Sequence, residues 1–141
     1  MSVEAIEALA HVPMLAGLER KQLARLARDF TERVFPAGST VVKQGDEHGI
    51  GFFVIGEGEA SVEVDGQEVA RLRSGDHFGE IALIGDRVRT ATVTSVTELR
   101  CYVMTIWEFR AFVQGDADVA WRLLEHIAAL IQLRELQAAS R

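Results

Sequence analysis

Phe78-Gly79-Glu80-Ile81-Ala82-Leu83-Ile84-Gly85-Asp86-Arg87-Val88-Arg89-Thr90-Ala91-Thr92-Val93 reads as a turn, a short helical run and the start of a strand. Gly79 lets the backbone approach a ligand closely. The Glu80-Ile81-Ala82-Leu83 turn that follows begins with N–H groups that have no partner within it. Such an end attracts phosphate. From Arg89 the chain alternates, with Arg89, Ala91, Val93 and Ser95 on one face and Thr90, Thr92, Thr94 and Val96 on the other. Arg89 therefore shares an inward face with apolar neighbours. A guanidinium keeps its charge in proteins, so burying it is costly unless an anion pairs with it. A phosphodiester held bidentately, with the amides of the turn on its other side, is a suitable partner.

Outward from this stretch the period is that of strands. Thr31–Phe35 runs into Pro36-Ala37-Gly38, and Thr40–Lys43 into Gln44-Gly45-Asp46. Gly51–Ile55 precedes Gly56-Glu57-Gly58, and Ala60–Val64 reaches Asp65-Gly66, a two-residue hairpin signal from which Gln67–Leu72 returns. Ser74-Gly75-Asp76 turns the chain into the stretch quoted first. Strands are expected again at 89–96 and 98–104. Short strands joined by glycine turns, in sequence order, predict an antiparallel barrel or jelly roll.

Helices flank the strands. Val3, Ile6 and Leu9 recur at helical spacing behind Ser2 as N-cap, with Pro13 ending the run. Leu23, Leu26, Ala27 and Phe30 form one face of a second helix over 19–29, whose Arg20, Lys21, Arg25 and Arg28 read as a solvated face. Thr105-Ile106-Trp107-Glu108 is a capping box that opens a helix ending at Gln114 and Gly115. Asp116 caps a last helix reaching 139. In it Ala120, Leu123, Ile127, Leu130 and Arg134 recur at three-and-four spacing, flanked by Leu124 and Ile131. Packing on the roll accounts for its first half; residues 130–136 are expected to meet a partner helix or act as a lid.

The order Phe-Gly-Glu-Ile-Ala-Leu, an Arg nine residues after the Glu, and then Thr-Ala-Thr-Val resembles the phosphate-binding cassette of cyclic nucleotide-binding domains. These are the domains of catabolite activator proteins and of cAMP-dependent protein kinase regulatory subunits. Phe35-Pro36-Ala37-Gly38, Gly45-Asp46, Phe53-Val54-Ile55, Gly58-Glu59 and Gly75-Asp76 extend the resemblance over about residues 8–135. The spacing between Gly45 and Gly58 is one residue longer than in kinase regulatory subunits, an insertion assigned to the loop at His48-Gly49-Ile50.

The resemblance implies a mainly β fold, an antiparallel β-roll, in a single domain over 1–141. N-terminal helices occupy 1–30, and the roll 31–104 carries the cassette at 78–91. Helices at 105–141 serve as a lid or dimer seam. It also implies that Gly79, Glu80, Ile81 and Ala82 offer amides to the cyclic phosphate, that Arg89 grips it, and that Glu80 takes the ribose 2'-hydroxyl. Thr90 is the residue type that members preferring cGMP carry after the arginine. By strand register Val64 and Leu72 wall the purine, or else serve as ordinary core. The expected function is a non-catalytic sensor for cAMP, with cGMP as the alternative base, whose C-terminal helix moves on binding and pairs with a second copy or another protein. The competing reading is a roll that has lost its ligand and serves for dimerisation or docking.

Bulk properties bound the remaining classes. The 141 residues carry 15 basic and 21 acidic side chains, a net charge of −6, so no overall field draws the chain to nucleic acid or anionic lipid. No helix-turn-helix segment follows the roll, and DNA contact by this chain alone is not expected. No stretch is apolar enough for a membrane span or ordered like a signal peptide. Cys101, the single cysteine, excludes an internal disulfide, reads as core and fits a reducing compartment, so the cytoplasm is expected. His11, His48, His77 and His126 are scattered, and His77 with Glu80 makes a poor ligand pair, so neither a metal nor a cofactor nor catalysis is expected. Arg87 reads as solvated. A sensor cut from a longer regulator or channel would have the same sequence features.

Overall fold

The computed structural model describes residues 3–47, 51–85 and 88–140. Ser2, the His48-Gly49-Ile50 loop and Arg87 lie outside the described residues.

The chain begins with α1 (Val3–Ala10), a 3-10 turn at Pro13–Leu15 and α2 (Arg20–Ala27). Eight strands follow: β1 (Thr31–Phe35), β2 (Thr40–Val42), β3 (Gly51–Glu57), β4 (Ala60–Val64), β5 (Gln67–Leu72), β6 (His77–Phe78), β7 (Thr92–Ser95) and β8 (Leu99–Thr105). A 3-10 turn at Glu80–Leu83 separates β6 from β7, and α3 (Ile106–Gln114) and α4 (Ala117–Ala139) close the chain. The strands form two antiparallel four-stranded sheets, ordered β1-β8-β3-β6 and β2-β7-β4-β5. This is the expected β-roll with flanking helices.

The continuous apolar run of β3 is explained by where its two faces go. Phe53 and Ile55 point into the roll, where Ala60, Phe78, Val93, Leu99 and Cys101 complete an inner core. Phe52 and Val54 point the other way, into a second core with Leu9, Leu15, Leu23, Leu26, Phe109, Val119 and Leu123 of the helical segments. A strand covered on both faces cannot alternate polar with apolar. Cys101 lies at the roll's centre, and burial pushes its thiol up to about 12, so it stays protonated.

Local signals hold at atomic detail. Asp65 and Gly66 both take positive φ, 54° and 80°, as a two-residue type I′ hairpin requires. The Thr105 hydroxyl accepts from the Glu108 amide at 3.3 Å, while Glu108 Oε1 accepts from the Thr105 amide at 2.9 Å. Asp116 accepts from the amides of Asp118 and Val119 at the start of α4. The long helix is fixed to the body at this end. Gln22, 2% exposed, donates to Asp118 at 2.8 Å, and Arg25 pairs with Asp116 at 2.6 Å. Arg20 likewise pairs with Glu7. The basic face of α2 is therefore solvated but tied into acidic neighbours.

Two elements differ from expectation. The strand expected over 89–96 is shorter, Thr92–Ser95, because the Arg89 main chain is engaged elsewhere, as described below. The pair His77–Phe78 adds a two-residue strand on the edge of β3 that no periodicity signals, with Phe78 stacked on Phe53 at 4.7 Å between ring centroids and 6° between planes.

Candidate ligand site

A cavity of about 510 Å³ opens beside the roll, lined by Val42, Val62, Ala70, Leu72, His77, Phe78, Gly79, Glu80, Val88, Arg89, Thr90, Ala91 and Val93. Its volume is that of a site for a small organic ligand. One part of the lining is charged and the rest is apolar.

The charged part is built on Gly79. This residue follows β6 with φ of +84°, a conformation that L side chains rarely adopt. A Cβ here would lie 2.6 Å from Arg89 Nη1 and 2.7 Å from the Gly51 carbonyl oxygen. Glycine is thus required twice, by its torsion and by the close approach of the guanidinium.

Arg89 is 9% exposed. Its Nη2 donates to the Gly51 carbonyl at 2.8 Å. Its main chain is held by the turn after β2: the Arg89 amide donates to the Asp46 carbonyl at 2.9 Å, and the Gly45 amide donates to the Arg89 carbonyl at 2.8 Å. These bonds explain why regular sheet pairing begins only at Thr92. They also give Gly45-Asp46 a role, since the turn sets where the guanidinium emerges. Burial pushes the Arg89 guanidinium down from its ordinary value, and the negative charge of Asp46 acts against that shift. Such a group remains a cation in proteins, and a buried cation favours an anionic partner.

Glu80 opens the 3-10 turn, and its Oε2 lies 3.2 Å from Nδ1 of His77. That hydrogen bond holds its carboxyl below the ordinary carboxylate value, against the opposing effect of burial. Glu80 is therefore an ionised acceptor at neutral pH.

The residues singled out from sequence are brought together to different degrees. Gly79, Glu80, Arg89 and Thr90 all line the cavity, and Ile81 and Ala82 lie in the 3-10 turn directly after Glu80. Thr90 is exposed. Leu72 is in the wall; Val64 is not among the lining residues, and Val62, two positions earlier on the same face of β4, takes that place. The β4–β5 register shifts between Val62 and Glu63, and strand alternation gives a face but not how far along it the wall extends. Sequence reasoning also missed Asp46, the Gly51 carbonyl and His77 as supports of the charged end. Gly45-Asp46 was visible as a motif, but its contact with Arg89 crosses more than forty residues and leaves no local pattern.

A second concavity, of about 570 Å³, lies between the end of the 3-10 turn and α3, lined by Leu83, Ile84, Gly85, Ile106, Trp107, Phe109, Arg110, Val113 and Gln114. It contains none of the charged residues above. Among the described residues no cluster of three or more His, Cys, Asp or Glu could hold a metal ion, and no helix is long and apolar enough to cross a membrane.

A family model for the cyclic nucleotide-binding domain matches residues 32–116. The chain belongs to the cyclic nucleotide-binding domain family, a family of regulatory rather than catalytic domains. It is 43% identical over 93 residues to a cAMP-dependent protein kinase regulatory subunit of Schizosaccharomyces pombe, a match covering 65% of this chain and 22% of that protein. The chain thus spans about a fifth of the length of that relative. Among solved structures, the N-terminal domain of a transcriptional regulator from Streptomyces coelicolor superposes with a TM-score of 0.80 at 28% identity, covering 94% of each chain. The regulatory domain of Toxoplasma gondii PKA in complex with cAMP gives a TM-score of 0.69 at 27% identity, covering 77% of this chain and 43% of that one.

Proposed function

We propose that this chain is one cyclic nucleotide-binding domain acting as a sensor, with cAMP as the favoured ligand and cGMP as the alternative. The observation that carries the reading is the Arg89 guanidinium, buried in the cavity wall against a glycine that no other residue could replace without collision. Arg89 pairs with the cyclic phosphate, and the amides of Gly79, Glu80, Ile81 and Ala82 approach it from the turn. Glu80 accepts from the ribose 2'-hydroxyl. Leu72, with Val62 beside it, covers the purine, and the roll itself performs no chemistry.

The output is carried by α4. From Ile131 to Ser140 its side chains are exposed, and Ile131, Leu133 and Leu136 present large apolar groups to solvent. A helix end bare in this way supports a partner helix, from a second copy or another protein, whose contact depends on the ligand because the ligand stabilises whichever arrangement it binds better.

The test is calorimetric titration of nucleotide-stripped protein with cAMP and with cGMP, alongside Arg89→Ala and with mass measured by light scattering in each state. Saturable binding that the substitution abolishes supports the sensor. If stripped protein takes up neither nucleotide, the domain is a docking module that has kept the roll and lost the ligand.

A further inference from the structure

His77 stands three residues before Glu80, across the left-handed turn at Gly79. That turn folds the Glu80 carboxylate back against the imidazole, so that Oε2 meets Nδ1 at 3.2 Å. Both side chains are partly buried, 21% and 27% exposed. The imidazole is itself fixed by β6 pairing with β3, which sets His77 opposite Val54 and its ring edge-on to Phe52 at 6.0 Å. The carboxylate is thus engaged from a strand by His77, and it also accepts from its own backbone amide.

We propose that His77 is a positioning residue for the ribose contact: it holds Glu80 in the orientation that accepts the 2'-hydroxyl, and it does so more firmly when the imidazole is charged. The inference rests on the cyclic nucleotide reading of this cavity. Neutral imidazole protonated at Nδ1 donates one ordinary hydrogen bond to the carboxylate. The imidazolium donates a charge-assisted one, which is shorter and about twice as strong. A free glutamate side chain gives up rotamer entropy when it is ordered, and a carboxylate already held by His77 has made that loss before the ligand arrives. With two of its about four lone-pair sites taken by His77 and its own amide, the carboxylate keeps acceptor capacity for the hydroxyl.

The charged groups on the neighbouring elements are engaged elsewhere: Asp76, next to His77, accepts from the Arg73 amide, Glu108 of α3 closes its helix cap with Thr105, and Arg110 of α3 lines the second concavity. On the strand packed against His77, β3 offers apolar Phe52 and Val54. The other charged group in the cavity lining is Arg89, whose counter-charge is Asp46 rather than Glu80. Because the hydrogen bond from His77 holds Glu80 below its ordinary value, the carboxylate stays ionised across the range where histidine titrates.

The experiment measures affinity for cAMP and for its 2'-deoxy analogue between about pH 8 and about pH 5.5, the range in which histidine changes charge. The ratio of the two dissociation constants isolates the 2'-hydroxyl contact, because phosphate, base and any general attraction of the anion to a charged His77 are common to both. In the wild type the ratio in favour of the ribonucleotide is expected to rise about threefold as pH falls, an effect well within one hydrogen bond's worth. In His77→Gln the ratio is flat with pH, and in Glu80→Gln it is small at every pH while the 2'-deoxy analogue still binds. A flat ratio in the wild type, or the same rise in His77→Gln, overturns the positioning role while leaving the cyclic nucleotide reading intact. Failure of the wild type to bind either nucleotide at any pH overturns both.

Discussion

At one end of the cavity Gly79, Glu80 and Arg89 come from a left-handed glycine, a 3-10 turn and an irregular segment pinned by a distant loop; at the other, Val62, Ala70 and Leu72 come from the two strands of one hairpin. The first end needs particular atoms at particular places, since a buried cation must be met by donors and acceptors of fixed geometry. The second needs only apolar volume, which several side chains can supply. Substitutions at the charged end should therefore be felt as loss of binding, and those at the hairpin end as a modest loosening. A hairpin substitution as damaging as a cassette one would break the contrast.

Arg89→Ala should have the largest effect. It removes the partner of a desolvated charge, and the loss expected is about 2–5 kcal/mol of binding free energy, roughly 30-fold to several thousand-fold in affinity. Isothermal titration measures it, and weakening of less than a few-fold would show that the guanidinium does not grip the ligand. Gly79→Ala comes next. The new Cβ must sit in a left-handed conformation costing about 1–2 kcal/mol, and it meets the Gly51 carbonyl and Arg89 Nη1 well inside contact distance. The flexible guanidinium can yield but the backbone carbonyl cannot, so both melting temperature and affinity should fall, the latter about tenfold or more. A melting temperature that falls with affinity unchanged would mean that Arg89 recovers its place.

This contrast also accounts for what could be read from the chain. The charged end was legible because its residue identities cannot vary freely: Gly79, Glu80 and Arg89 stand at fixed spacing in sixteen consecutive residues. The roll was legible from Asp65-Gly66 and the glycine-punctuated strands, and of the face expected to point inward Arg89, Val93 and Ser95 are buried and Ala91 is half-buried. The apolar end was read two residues off at Val64, because alternation gives a face and not a position along it, and a register shift in the β4–β5 ladder is invisible to alternation. Strand β6 was missed since two residues carry no period. Two of the supports were missed for a different reason: the hydrogen bonds from Asp46 and Gly51 to Arg89 are accepted by main-chain carbonyls, and a carbonyl is present at every residue.

Leu72→Ala tests the hairpin end. It removes part of one wall of a partly open cavity, so the loss should be about 1 kcal/mol, near fivefold in affinity for cAMP and cGMP alike. A loss that rivals Arg89→Ala would place the principal contact on the base side and reverse the ranking.

Thr90 sits between the two ends and has the smallest expected effect. It follows Arg89 on the opposite parity, is exposed, and yet lines the cavity. A residue in a regular strand could not do both so readily. Arg89 and Thr90 precede the ordered ladder at Thr92, with the Arg89 main chain bonded instead to the Gly45-Asp46 turn, and this departure from strand geometry is what admits the Thr90 side chain to the rim. On the cyclic nucleotide reading proposed above, its hydroxyl is expected to meet a polar edge of the base, and a neutral hydrogen bond contributes about 0.5–1.5 kcal/mol. Thr90→Val keeps the shape and removes the hydroxyl, so cAMP affinity should change little while cGMP weakens about two- to tenfold. Equal affinities before and after for both nucleotides would assign Thr90 to the solvent side and leave selection of the base to Val62, Ala70 and Leu72, whose side chains offer no hydrogen-bonding group with which to tell one purine from another.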